Sequence, residues 1–240
     1  GVWTSRTNAV DLARERAALI TAVVTSRINE ALDPAREQVG YLAETIVNQH
    51  IDPMSDPRFL DIVGGALGTT RQITAIAFST PDYHLLRVFR GPDGPIEHGV
   101  TLETSAAIRA AIDSSRLAPG PFWGDVIWSE EAKQPLINLR APVRRADGTF
   151  LGTLYAVVSV ADLSAVLDDI RTEFGATAFI LLDHDLVLAH PSLIKGFPGQ
   201  SRETPLPRYD EIGDPILARI WDQGTWLDRE RSERLLGGHA

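Results

Sequence analysis

The sequence has 240 residues, 23 of them basic and 32 acidic, for a formal net charge of −9, with 44% hydrophobic and 23% charged residues. These are ordinary proportions for a globular chain long enough for one large domain or two small ones. The negative balance argues against a nucleic-acid-binding or anionic-membrane surface, and the absence of cysteine excludes disulfides, thiol nucleophiles and cysteine-ligated metal sites.

Residues 8–48 read as one long helix, roughly 60 Å at the usual rise per residue. Leu12, Leu19, Val23, Ile28 and Leu32 fall near one stripe, which resumes at Val39, Leu42, Ile46 and Val47. Asp33-Pro34 interrupts it, so a kink or a restart with Asp33 as cap is expected. The N-terminal half is expected to supply a homodimer seam; the plainer alternative is a helix lying across two successive modules. After the breakers of His50–Pro57, a short helix is expected from Arg58 to Leu67, ended by Gly64, Gly65 and Gly68. Gln72–Thr80 and Tyr83–Arg90 read as a hairpin around Pro81-Asp82, with Phe78 and Tyr83 in the core. A loop with clear turn chemistry follows at Gly91–Pro95, then a helix from Thr101, its cap, to Ser115.

Leu136–Val143 alternates, with Ile137, Leu139, Ala141 and Val143 on one face and Asn138 and Arg140 on the other. Asp147-Gly148 supplies a hairpin turn. Phe150–Val160 is apolar on both faces, as a central strand is. Asp162 is expected to cap a helix through Phe174 that Gly175 stops. A second strand pair follows at Ala176–Asp183 and Leu186–His190, then a polar loop from Pro191 to Pro207 and a short helix from Asp214 through Trp221. The charged end, Gln223–Ala240, holds no clear element. Strands interrupted by helices give an α+β class. The repeated strand pair divides the chain into a helix at 1–50, a module at 51–172 and a second module at 173–240.

The candidate site lies in the stretch Pro121–Val160. Trp123 and Trp128 are candidate pocket walls, the alternative being core packing. Asp125 is a candidate acceptor for a ligand ammonium or hydroxyl, the alternative being a loop cap or surface charge. Arg140 is a candidate bidentate partner for a ligand carboxylate, the alternative being an ion pair with the long helix. Asn138 shares its face, and Arg87 projects from a strand beside Leu85 and Phe89, with an edge-strand charge as its alternative. The six histidines form no HExxH arrangement, and a hairpin turn accounts for Asp183, His184, Asp185 and His190 better than a metal does. Glu130-Glu131 are neighbours on one loop and define no acid/base dyad. No catalytic constellation, cofactor motif or metal site is expected.

The succession of Phe122-Trp123-Gly124-Asp125, Asn138-Leu139-Arg140-Ala141-Pro142-Val143, Asp147-Gly148-Thr149-Phe150-Leu151-Gly152, the helix from Asp162, and Phe179–Asp183 with Val187–Pro191 resembles the double Cache sensor family. The resemblance covers residues 8 to about 195. It implies a long N-terminal helix and two PAS-like modules, the ligand in the membrane-distal one. It also implies a periplasmic position between two transmembrane helices of an inner-membrane receptor. The helix segment Leu32–Glu44 resembles sensor regions joined to adenylate or guanylate cyclases. A cyclase is therefore the first expected output domain, ahead of a chemoreceptor, histidine kinase or diguanylate cyclase. No run reaches the roughly 18 apolar residues that a spanning helix needs. The opening Gly1-Val2-Trp3-Thr4 and the sole methionine at Met54 suggest a piece of a longer protein.

Two departures qualify the resemblance. Amino-acid-binding members carry an arginine beside Trp-Tyr, whereas Phe122–Trp128 has none, so an α-amino-acid ligand is not expected. The second module ends early, either cut or degenerate. The rival expectation is a PAS-like dimerisation module without a ligand, and a hydrolase is a distant third.

Overall fold

The structure, a computed structural model, describes residues 2–91, 96–130 and 132–221. Residues 92–95 of the loop expected after Gly91, Glu131 and the charged end from Gln223 lie outside them. The described residues fall into two compact units. One comprises described residues within 32–160 with 201–205, the other 2–31, 161–200 and 206–221.

Helix α1 (Val2–Asn48) is a single helix that runs through Pro34 without a restart. The physical reason is burial. Ile28, Leu32, Ala35, Val39, Leu42 and Ile46 are all buried at alternating spacings of three and four, so one apolar stripe continues past the proline. Asp33 pairs with Arg36 at 3.2 Å instead of ending the helix.

In the first unit, α2 (Pro57–Thr69) starts at an N-cap, Asp56, which accepts from the Arg58 N–H. It continues through Gly64, Gly65 and Gly68, where the sequence suggested a stop, because Phe59, Val63, Ala66 and Leu67 are buried on one side. Its end is held by Arg90, whose guanidinium donates to the carbonyls of Leu67, Thr70 and Ile73. Leu67 lies in the last turn and Thr70 is the C-cap, where carbonyls run short of helical donors, and a cation suits the negative end of the helix dipole. Replacing Arg90 with Met is expected to cost about 2–3 kcal/mol, because charged donors to buried carbonyls are worth more than neutral ones. Urea unfolding followed by circular dichroism checks this; a loss below about 0.5 kcal/mol, the size of an ordinary surface substitution, counts against the cap.

The sheet comprises β1 (Ala75–Ser79), β2 (His84–Arg90), β3 (Ile96–Leu102), β4 (Phe122–Trp123), β5 (Ile127–Ser129), β6 (Gln134–Arg144) and β7 (Phe150–Ser159). Its order is β3-β2-β1-β7-β6-β4, and β5 also pairs with β6. Every pairing in it is antiparallel. The hairpin β1–β2 forms where expected. Phe78 is core, whereas Tyr83 is only half-buried at the turn, with φ 70°. The segment expected to begin a helix at Thr101 is instead the end of β3, and α3 spans Ala106–Leu117. All seven residues of β3 are exposed, so burial imposes no alternation for the eye to find; pairing with β2 alone makes it a strand. Gly148, with φ 86°, supplies the β6–β7 turn.

Antiparallel partners directly opposite each other share a face, so the register sorts the side chains. One face carries Ile76, Phe78, Leu86, Val88, Leu154, Ala156, Val158, Ile137, Leu139, Ala141 and Val143. Helix α2 packs on this face at β1 and β2, with Phe59 edge-on to Phe78 at 6.3 Å. The other face carries Ala75, Ala77, Ser79, Arg87, Thr153, Tyr155, Asn138, Arg140 and Phe122.

The second unit contains α4 (Val160–Phe174), which begins directly after β7, so Asp162 sits within its first turn and not before it. Gly175, φ 64°, closes it by donating to the Arg171 carbonyl. A two-stranded pair, β8 (Ile180–Leu182) and β9 (Leu186–Ala189), follows. Val187, Leu193 and Leu217 form its small core with Phe179, Leu181, Phe197, Tyr209, Ile212 and Ile220 around them. The helix expected from Asp214 is a single 3-10 turn, Leu217–Arg219. Asp183 and His184 take positive φ at the β8–β9 turn, and buried His190 bonds Ser192 and Asp214. Burial raises the Asp214 carboxyl, but the N–H groups of Leu217 and Ile216, with His190, outweigh it and hold the carboxyl below its ordinary value.

Candidate functional site

The polar face of the seven-stranded sheet is the unusual feature of the molecule. Buried positions are ordinarily apolar, so a buried polar group calls for a reason. Ser79, Thr153, Asn138 and Arg140 are all buried there. The small Ala75, Ala77 and Ser79 on β1 lie across from Tyr155 and its neighbours. Helix α3 packs over β6 and β7 on the same unit.

Arg140 is the centre. Its residue is only 4% exposed. The Nε donates to Asn138 Oδ1 at 2.7 Å, and Asn138 Nδ2 donates to the Asp125 carbonyl at 2.9 Å. The Gly124 N–H donates to the Asn138 carbonyl at 2.9 Å, so the loop is tied to Asn138 of β6 at two points. A Cβ at Gly124 would lie 2.3 Å from Arg140 Nε, so a side chain there requires the guanidinium to move. The guanidinium stands 5.8 Å from the Phe122 ring centroid. No carboxylate comes within ion-pair distance, and the two terminal nitrogens have no acceptor among the described residues. Among the described residues the sealed side-chain polar atoms without a partner are Trp123 Nε1 and Thr153 Oγ1, and the two terminal nitrogens are not among them. Burial pulls the Arg140 guanidinium below its ordinary value, while the Tyr155 ring and the Asp125 carboxylate act the other way.

Tyr155 faces Arg140 directly across the β6–β7 pair. Its hydroxyl is 2.9 Å from Ser79 Oγ. Burial pushes that hydroxyl up, with the Ser79 bond and the Arg140 charge opposing. The sequence reading missed Tyr155, Ser79, Phe122 and Gly124. Thr153 and Tyr155 do alternate on one face of a strand read as apolar on both, and that was the signal available.

The candidate residues named from sequence divide into two groups. Asp125, Asn138 and Arg140 come together in the hydrogen-bonded chain just described, with the Asp125 side chain itself exposed. Arg87 is on the same face further along the sheet, but its charge is engaged: it pairs with buried Glu103 at 2.8 Å and donates to Thr101. Trp123 and Trp128 pair with Leu139 and Pro135, which sets both on the opposite face. The Trp123 ring lies 6.0 Å from the Arg36 guanidinium of α1. The two residues of β4 therefore look in opposite directions, Phe122 toward Arg140 and Trp123 toward α1.

No protein-family model and no curated protein sequence matches this chain. Solved structures do. The sensory domain of the Campylobacter jejuni chemoreceptor Tlp3 superposes with a TM-score of 0.62 at 12% identity, over 84% of this chain and 80% of that one. The fold is that of chemoreceptor sensory domains. A methyl-accepting chemotaxis protein X matches with a TM-score of 0.56 at 17% identity, over 82% of this chain and 81% of that one. The ligand-binding domain of the Pseudomonas aeruginosa PAO1 amino acid chemoreceptor PctC, in complex with GABA, matches with a TM-score of 0.55 at 16% identity, covering 81% and 79%. The long helix leading into an antiparallel sheet is common ground with these domains, and none of the three is an enzyme by its description. Among the described residues no helix is long and apolar enough to cross a membrane.

Proposed function

We propose that this chain is the extracytoplasmic small-molecule-sensing part of a transmembrane signalling receptor, with no catalysis of its own. The observation that carries the reading is the buried guanidinium of Arg140, held by Asn138 and left with open donors on the polar face of the sheet. A charge is costly to bury without a partner, and a ligand arriving from solution would complete it. The shared fold adds support, since the structural neighbours include ligand-binding domains in complex with L-valine and GABA. In this reading the seven-stranded unit is the membrane-distal module, the site comprises Arg140, Asn138 and Asp125 with Tyr155, and the protein is anchored by transmembrane helices flanking the chain. The output domain is a nucleotide cyclase, from the resemblance of Leu32–Glu44.

The relay runs through β4 to α1. A ligand that moves Phe122 also moves Trp123, which is stacked near Arg36 on the helix. A ligand shifts such an equilibrium only by preferring one state, and a tenfold preference contributes about 1.4 kcal/mol. The N-terminal half of helix α1 exposes Leu19, at 61%, which suits a homodimer seam there. A thermal-shift screen of small carboxylates, amines, sugars and purines tests the sensor reading: at least one class is expected to raise the melting temperature in proportion to the logarithm of its concentration. Silence from every class would leave a PAS-like dimerisation module as the function. Light scattering of the same sample is expected to give a dimer, and a monomer at high concentration removes the α1 seam.

A further inference from the structure

We propose that the ligand of the Arg140 site is a small monocarboxylate carrying no ammonium group. This rests on the sensor reading and narrows it. The Nε edge of Arg140 is occupied by Asn138, and Asn138 is itself fixed to the Asp125 carbonyl, so the side chain is pre-set in one orientation. What remains is the pair of terminal nitrogens, the fork geometry that fits the two oxygens of a carboxylate.

The remaining charges decide the rest. An amino-acid ligand needs a buried acceptor for its ammonium. The Glu103 carboxylate is on this unit and buried, but Arg87 already neutralises it at 2.8 Å. The Asp125 carboxylate is exposed, where an ion pair is worth little. The Tyr155 hydroxyl is neutral and bonded to Ser79. An ammonium entering beside Arg140 would meet a like charge and no free buried anion. A dianion such as phosphate or a dicarboxylate fits no better, because it brings a second negative charge, and the strand cation Arg87 on this face is engaged by Glu103 while Arg109 of α3 is turned to the Glu103 carbonyl. One unpaired cation matches one anion. Phe122 beside the guanidinium, with Ala75 and Ala77 across the sheet, offers apolar contact for a short tail.

Isothermal titration of the whole 240-residue chain with propionate, alanine, propylamine, succinate and inorganic phosphate, in a buffer free of carboxylate and phosphate, tests the proposal. Propionate is expected to bind at least about tenfold more tightly than any of the other four, a factor equivalent to 1.4 kcal/mol. Arg140→Gln, shown to be folded by circular dichroism, is expected to weaken propionate at least about tenfold as well. Should that variant fail to fold, the wild-type ranking alone decides. Alanine, propylamine, succinate or phosphate binding as tightly as propionate overturns the ligand class and leaves the sensor reading standing, as does a sugar or purine binding where propionate does not. Propionate binding unchanged in folded Arg140→Gln overturns the assignment to this site. No binding by any of the five probes overturns the proposal, and the broader screen then judges the sensor reading separately.

Discussion

Gly152→Ala is expected to remove a large part of the stability of the seven-stranded unit. Gly152 takes φ 151°, a backbone conformation that L side chains rarely adopt, and it pairs with Val143 beside the register shift of the β6–β7 ladder. A Cβ there would lie 2.2 Å from the Ser79 carbonyl oxygen and 2.5 Å from Phe78 Cζ. Neither neighbour can give way cheaply. The first is backbone in a paired strand, and the second is the ring of a core residue packed against Phe59. Overpacking and backbone strain together are expected to cost more than about 3 kcal/mol, a large part of the 5–15 kcal/mol by which a domain is ordinarily stable. Gly148→Ala is the control. Gly148 also has positive φ, 86°, but nothing lies within 4 Å of its Cβ position, so the cost is the left-handed conformation alone, about 1–2 kcal/mol. Urea unfolding of both variants reads the difference. Equal losses would mean that contact, as opposed to conformation, contributes nothing at Gly152.

The double substitution Asn138→Leu/Arg140→Met is expected to raise the stability of the ligand-free protein, by about 1 kcal/mol or more, while abolishing the ligand response. Four effects compete. Removing a buried charge that has no carboxylate partner recovers its desolvation cost. Losing the guanidinium near the Phe122 ring gives back about 0.5–1 kcal/mol. Removing Arg140 alone would also leave Asn138 Oδ1 without its donor, at about 1–3 kcal/mol, which is why both residues are replaced together. With that last cost removed, desolvation outweighs the ring contact together with the lost Asn138 Nδ2 bond to the Asp125 carbonyl, itself about 1 kcal/mol. Urea unfolding checks the sign. A loss of stability would assign Arg140 to the support of the fold, whereas a gain marks a charge kept at the expense of stability, as functional groups are.

Much of the architecture is legible in residue order. The Asp147-Gly148 turn, the apolar run after it and the spacing in α4 follow from local chemistry, because turns and amphipathic periods are set by a few consecutive residues. The alternation of β6 likewise separates Asn138 and Arg140 from Ile137, Leu139, Ala141 and Val143. Local rules mislead where burial or pairing comes from elsewhere. Gly64 and Gly65 stay helical because Phe59, Val63, Ala66 and Leu67 are buried together, and Arg90, distant in sequence, holds the end. Strand β3 has no buried face at all and exists through its ladder to β2.

Residue types and their order along the chain establish which side chains are chemically able to contact a ligand, and the α+β class that holds them. They also establish the face on which Arg140 projects, since a strand's period of two is a local property. It takes the folded packing to bury this face, to set Trp123 and Trp128 across the sheet from Arg140, and to pair Arg87 with Glu103 while Arg140 has no carboxylate partner among the described residues. Burial and charge pairing are sums over neighbours far apart in the chain, and no spacing of residues along β6 contains them.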